Sequence, residues 1–297
     1  MAIQWYPGHM TKARRELVGL IPSQDVIIEV LDARMPAASA NPVVTELRGQ
    51  KPCIKVLTKS DLADAEVTKA WLEHFEIDRG ERQGRVLAFA STTERPSEIR
   101  TRISELCKRL GLKQSPTKTV RALIVGIPNV GKSTLINTLM DRVVATVGDK
   151  PAVTKAQQQV VLKNGMVLSD SPGILWPKIE DESAAFRLAL GGAIPDTAID
   201  YFHIATFGAA YLLERYPALL MARYKLREVP TTAESLLAEI GRRRGCLRSG
   251  GGIDMHKASE ILVHEFRMGV LGRISLESPA DAAPVSVDAA PVSIDEA

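Results

Sequence analysis

Arg121-Ala-Leu-Ile-Val-Gly126-Ile-Pro-Asn129-Val130-Gly131-Lys132-Ser133-Thr134 decides the fold. An apolar, β-branched run reaches Gly126, and a helix-like segment leaves from Ser133 towards Met140. Between them, Gly126-x4-Gly131-Lys132-Ser133 is a complete P-loop pattern in the strand-to-helix setting that it requires. The glycines let backbone N–H groups from Asn129 to Thr134 wrap phosphate oxygens at a helix N-terminus, where the helix dipole also favours anions. Lys132 is expected to neutralise the β and γ oxygens, and Ser133 to ligate Mg²⁺. The competing reading, a chance Gly-rich turn, has to produce the whole pattern and its setting together.

Downstream, Asp170-Ser-Pro-Gly173 follows a second short strand. The Asp170 carboxylate can hold Mg²⁺ through water, and the Gly173 N–H can meet the γ-phosphate. The pattern alone is weak, because Asp and Gly favour turns anyway. It gains force from its place after a P-loop. Pro151-Ala-Val-Thr154, between the two motifs, offers Thr154 as a second Mg²⁺ ligand; the alternative is an ordinary loop threonine.

Upstream, Thr58-Lys59-Ser60-Asp61 ends the run Cys53–Thr58. A carboxylate at Asp61 can accept hydrogen bonds from guanine N1–H and the 2-amino group. Adenine presents an acceptor at N1 and has no 2-amino group, so it would leave charge unpaired. The Lys59 stem can cover the base face. Asp61 could also be only an N-cap for the helix that follows. GTPases usually have Asn where Thr58 stands, so a base contact from Thr58 is open. Ser91 or Thr92, after the next strand, occupies the place of a further base-binding loop, although the match is poor.

Apolar runs at 26–32, 53–58, 86–91 and 121–127 alternate with helical segments at 64–76 and 97–110, and Asn164-Gly165 marks a hairpin. The expected fold is α/β: a mostly parallel sheet with helices on both faces over residues 1–180. Beyond Asp181 the pattern turns helical, at 205–216, 232–244 and 254–267, which suggests a small all-helical domain over 181–276; deleting residues 205–276 is expected to spare nucleotide binding. Thr231 and Glu234 have capping-box spacing, and Asp254 is a candidate N-cap. Residues 277–297 carry five acidic and no basic residues in a near-repeat of DAAPVS, which reads as a disordered acidic tail.

The 297 residues are 45% hydrophobic and 25% charged, with net charge +3. Without the tail the body is more basic, consistent with a phosphate-rich partner and also with many ordinary enzymes. No long apolar run or secretory leader is evident, and the three scattered cysteines read as reduced thiols. A cytoplasmic monomer is expected, engaging neither DNA nor membrane.

The base-reading motifs precede the P-loop, the reverse of the ordinary GTPase order. This makes the chain a circularly permuted P-loop GTPase, and a sheet tolerates such a permutation if the old termini are joined on its rim. The chain resembles the bacterial ribosome biogenesis GTPase A (RbgA/YlqF) family over roughly residues 4–277. The matching residues are Trp5-Tyr-Pro-Gly-His9-Met10, Asp32-Ala-Arg34-Met-Pro36, Thr58–Asp61, Gly126–Thr134, Pro151–Gln157, Asp170–Pro177 and Phe266-Arg-x-Gly269-x-x-Gly272-Arg-Ile-Ser-Leu276. Departures are Thr58, Ala152 where the family commonly has Gly, and the degenerate loop at 90–92. The resemblance implies GTP and GDP as ligands, assembly of the large ribosomal subunit as the role, and rRNA contact by the helical domain. Arg242, Arg243, Arg244, Arg248, Lys257, Arg267 and Arg273 are candidates for facing phosphates, or for a merely solvated surface.

Ile174 stands where GTPases often place a water-orienting Gln, and it cannot perform that role. His9 is a candidate replacement; the alternatives are an RNA contact or a local cap. As in related potassium-dependent GTPases, Asn129 can offer an oxygen to K⁺. The preferred reading is a GTP hydrolase acting as a ribosome assembly switch. A GTP-sensing RNA-binding module with incidental hydrolysis is the alternative, and an ATP-using enzyme is a weaker third that Asp61 argues against.

Overall fold

The computed structural model describes residues 8–76, 86–91, 96–112, 119–140, 159–162, 165–176 and 179–281. Among these, six strands form one sheet in the order β3-β2-β1-β4-β6-β5: β1 is Val26–Asp32, β2 Cys53–Thr58, β3 Val86–Ala90, β4 Arg121–Val125, β5 Gln159–Val161 and β6 Val167–Asp170. All neighbours are parallel except β5 and β6, whose antiparallel hairpin turns at Gly165.

Both faces are covered, which explains why the central strands are apolar at nearly every position rather than at alternate ones. Val26, Ile28, Val30, Ile54, Val56 and Ile124 pack on one side with α5 (Pro96–Arg109) and α6 (Lys132–Met140). Ile27, Cys53, Leu123 and Val125 face α1 (Gly8–Leu20) and α3 (Pro42–Arg48) on the other. Nearby, Leu31 and Leu57 bury Trp71 of α4 (Ala65–Glu76). A single turn, α2 (Pro36–Ser39), leads into α3.

The helical part is fuller than the sequence pattern suggests. It contains α7 (Glu182–Leu190), α8 (Tyr201–Arg215), α9 (Pro217–Tyr224), α10 (Ala233–Arg244) and α11 (Met255–Arg267). α8 starts four residues earlier than the periodicity implies, because Asp200 accepts from the Phe202 and His203 N–H groups. Pro217 opens α9 at a position where its missing N–H costs nothing. The capping box belongs to Thr232 and Ser235, not Thr231 and Glu234: each side chain accepts the other's backbone N–H. Asp254 does cap α11, accepting from Lys257 N.

The apolar cluster runs without a break from the sheet into these helices, through Leu188, Ile204, Leu236, Leu262, Phe266 and Leu276. The end of the helical part also returns to the sheet. Leu276 N donates to Arg34 O at 2.6 Å, and Trp71 Nε1 donates to Glu277 O at 3.2 Å. Glu277, read as the first residue of the disordered tail, is instead buried, its Oε1 accepting the N–H groups of Ala37 and Ala38 at the start of α2. Its partners lie some 240 residues earlier, beyond the reach of composition. Residues 282–297 lie outside the described residues.

Candidate functional site

The motif loops leave the carboxyl ends of β1, β2, β3, β4 and β6, so residues far apart in sequence meet at one edge of the sheet. β1 and β4 are neighbours in the sheet although β2 and β3 lie between them in the chain: chain order reverses there, and open α/β sheets bind ligands at such a crevice.

At the P-loop, Lys132 is buried, and its Nζ donates to Gly126 O at 3.0 Å and Ile127 O at 2.7 Å. The ammonium thus rests on backbone carbonyls that a phosphate would replace. Burial pushes its pKa down to about 8, with Asp170 pulling the other way. Asp170 is the reciprocal case: burial raises it to about 6, against the opposing charge of Lys132. Both Asp170 carboxylate oxygens are buried without a hydrogen-bond partner. Two orphaned anionic oxygens in such a place cost free energy unless a cation meets them, so the donor set fits a hard divalent metal. Ser133 is half-buried in the first turn of α6, and Thr134 and Gly131 line the adjoining cavity.

Gly173 lies hard against the P-loop. A Cβ there would stand 2.9 Å from Pro128 Cα and 3.0 Å from Lys132 Nζ, so a side chain would force the loops apart. The next residue is pinned on all sides. Ile174 N donates to Gly126 O at 3.3 Å, and its carbonyl accepts Asn41 Nδ2 at 3.0 Å. Its side chain is only 2% exposed and packs with Ala13 and Leu17 of α1. Asn41 was not singled out from sequence. It caps α3 through Val43 N and anchors its own N–H on buried Glu29, which also pairs with Lys55. Asn followed by Pro is a helix-start signal that could have found it, but nothing in the sequence marks the partner its amide meets.

The loops after β2 and β3, the candidates for reading a base, line a cavity of about 200 Å³ with Ile99, Gly131, Thr134, Leu135 and Thr138; their own contributions are Thr58, Lys59, Asp61, Leu62 and Ser91. Asp61 is exposed at its mouth. The Thr58 hydroxyl lies 2.9 Å from Leu31 O and 2.5 Å from Val130 O, tying β2 to the P-loop. Lys59 Nζ donates to Asp32 Oδ2 at 2.8 Å, which leaves its stem beside the cavity. Asp32 is clamped by Arg34 (Nε to Oδ1, 3.0 Å; Nη2 to Oδ2, 2.8 Å), and after the opposing cost of burial these two cations hold its carboxyl well below the usual range. Removing one partner of such a buried pair costs roughly 3–5 kcal/mol. Ser91 is buried; its N–H donates to Leu57 O and its carbonyl accepts Ser60 Oγ, bridging the two loops.

Asn129, in the left-handed region at φ 56°, sends Nδ2 to Gly192 O at 2.8 Å, joining the P-loop to the turn after α7. Two of the basic candidates are structural. Arg267 is spent on Ala189 O, Leu190 O and Asp196, and Arg244 pairs with Glu265. Thr92, Thr154 and the His9 side chain lie outside the described residues; the backbone of His9 belongs to α1.

Residues 121–195 match the family described as "50S ribosome-binding GTPase". Ribosome biogenesis GTPase A of Bacillus licheniformis is 44% identical over 286 residues, covering 95% of this chain and all of that protein. The crystal structure of GNP-bound YlqF from T. maritima aligns with TM-score 0.62 at 31% identity, over 91% of this chain and 100% of that one. A GDP-bound YlqF structure aligns with TM-score 0.61, also at 31% identity, over 90% and 100%. With the nucleotide loops gathered at one sheet edge in permuted order and this degree of identity along nearly its whole length, the chain belongs to the ribosome biogenesis GTPase A family of circularly permuted GTPases.

Proposed function

We propose that this GTPase is an assembly switch for the large ribosomal subunit, with helical residues 181–276 contacting its rRNA. The observation that supports the role most directly is the match to a relative named for ribosome biogenesis, which covers the helices as well as the nucleotide loops. The surface is compatible with it. Lys257 and Arg273 are exposed, while Arg242 and Arg243 share Glu239 and Arg248 reaches Asp254 only at 3.8 Å. Such exposed pairs are worth little, so phosphates can compete for these cations. Buried, unpaired thiols at Cys53, Cys107 and Cys246 suit a reducing compartment, here the cytoplasm. Among the described residues no helix is long and apolar enough to cross a membrane.

In this reading GTP lies across the P-loop, with Asp61 reading guanine, Lys132 on the β and γ oxygens, and the Gly173 N–H at the γ-phosphate. Ser133, Asp170 and Thr154 would hold Mg²⁺, which supplies charge neutralisation at the phosphates. With Nδ2 directed at Gly192 O, Asn129 would hold a potassium ion through Oδ1. Large-subunit particles should retain the protein with a non-hydrolysable GTP analogue and lose it with GDP. Retention should fall at least tenfold between 50 and 200 mM salt, as several phosphate contacts require. Equal retention in both nucleotide states would overturn the switch.

Burial of Ile174 gives one observation in favour of the second reading, a GTP sensor whose own hydrolysis is incidental. Turnover measured with and without subunits separates the two, because a switch must be stimulated. The metal assignment has its own test. Asp170→Asn should raise the Mg²⁺ concentration needed for half-maximal hydrolysis more than tenfold. The metal-free fold should be at least as stable as the wild type, since a neutral amide replaces a buried orphan carboxylate. An unchanged Mg²⁺ requirement would remove Asp170 from the site.

A further inference from the structure

The loop that follows β2, residues 59–64, is poorly equipped to hold its own shape. Lys59 sits in the left-handed region at φ 57°, which is unfavourable for a residue with a side chain. Within the loop, Leu62 N donates to Lys59 O at 3.0 Å and closes one turn. Its further anchors on the outer side come from α11 and the segment after it. Ile274 N donates to Leu62 O at 2.9 Å, and Asp64 N donates to Ser275 Oγ at 3.2 Å. Arg34, which fixes Asp32 and through it Lys59, donates Nη1 to Phe266 O at 3.3 Å and lies 4.7 Å over the Phe266 ring. Gly269, at φ 72°, comes so close that a Cβ on it would stand 2.5 Å from Leu62 Cδ2. Leu62 and Lys59 both line the cavity beside Asp61.

We propose that Phe266–Ser275 is the outer buttress of the base pocket, and that its seating, through Gly269 on Leu62 and Arg34 on Phe266, sets the affinity for guanine nucleotides. Gly269, Arg34 and Ser275 are then positioning residues: they act through Leu62, Lys59 and Asp64 without touching the nucleotide. The base is common to GTP and GDP, so a shift of the buttress changes affinity for both by the same factor. Shifted at Gly269 or Ser275 alone, it leaves the phosphate end, built on β4 and β6, unchanged. A partner that draws on α11 would in this way loosen either nucleotide. On this reading, deletion of residues 205–276 weakens nucleotide binding, the opposite of the expectation from sequence. The inference rests on the assignment of the Asp61 loop as the base reader.

The test uses the full chain and titrates GDP and a non-hydrolysable GTP analogue, with turnover measured at saturating GTP. Gly269→Ala should weaken both nucleotides about tenfold, with saturated turnover within twofold of the wild type. Ser275→Ala, a small change expected to fold, should weaken both about threefold. Gly245→Ala is the control: Gly245 is also left-handed, at φ 70°, yet a Cβ there meets nothing within 4 Å, so its strain should leave affinity unchanged. Wild-type affinity in both Gly269→Ala and Ser275→Ala, or an equal loss in Gly245→Ala, would overturn the buttress. Asp61→Asn run in parallel separates the failures. If it switches base preference while the buttress variants bind normally, only the buttress falls; if it leaves base preference intact, the base-reading loop falls with it.

Discussion

Asp61→Asn is expected to lower GTP affinity about 10²-fold and to turn the preference towards xanthine nucleotides. A carboxylate accepts from both guanine N1–H and the 2-amino group, and hydrogen bonds to a charged partner are each worth roughly 1.5–3 kcal/mol. The amide can accept at only one of its two atoms and sets N–H against N–H at the other. Xanthine carries a carbonyl at position 2, which accepts the donor that guanine repels. Asp61 is exposed at the mouth of a cavity lined by Lys59, Leu62 and Ser91, so the substitution should leave the fold intact. Competition of XTP and GTP for the variant is the measurement. Wild-type selectivity would show that another group reads the base.

His9→Ala is expected to cut partner-stimulated hydrolysis about 10²-fold, the usual size for a positioned acid–base or orienting group. The structure narrows the need for such a group. Ile174 is held by Gly126 O and Asn41 and is buried against α1, so the residue following Gly173 offers no polar atom for an attacking water. The same helix begins one residue before His9, and its Ala13 and Leu17 pack on Ile174. Affinity for GTP and for subunit particles should stay within twofold, because the loss would lie in the transition state alone. Weakened particle binding at unchanged saturated turnover would make His9 an RNA contact instead.

The strands and the phosphate loop were legible because their causes are local. Val26–Asp32 and Cys53–Thr58 are apolar enough to demand burial on both faces, and they form strands over those same residues. The P-loop needs only a strand, two glycines and a helix start, all contiguous. The helical part was harder. α7 and α9 were missed because Ala184, Ala185, Leu188 and Leu220 bury themselves against partners outside their own segments, which weakens any periodic signal within them.

Thr58 shows why the candidate base site was only half readable. The residue type raised a doubt about the base contact, but no sequence spacing could show that its hydroxyl meets Val130 O in a loop seventy-two positions away. The same is true of Asn129 with Gly192, Asn41 with Ile174 and Arg34 with Phe266. Each is a hydrogen bond to a backbone carbonyl, and any residue can supply a carbonyl, so the partner leaves no mark in composition.

Sequence by itself determined the sheet, the permuted order of the loops and the chemistry each loop can offer, since these depend on side-chain type and short-range spacing. Tertiary structure alone decided which groups those loops lean on. It turned Ile174 into a core residue, spent Arg244 and Arg267 on internal partners, and seated Glu277 on the start of α2. The physical reason is that buried polar groups must find partners wherever the fold brings them. In this protein many of those partners lie across the junction between the sheet and the helices.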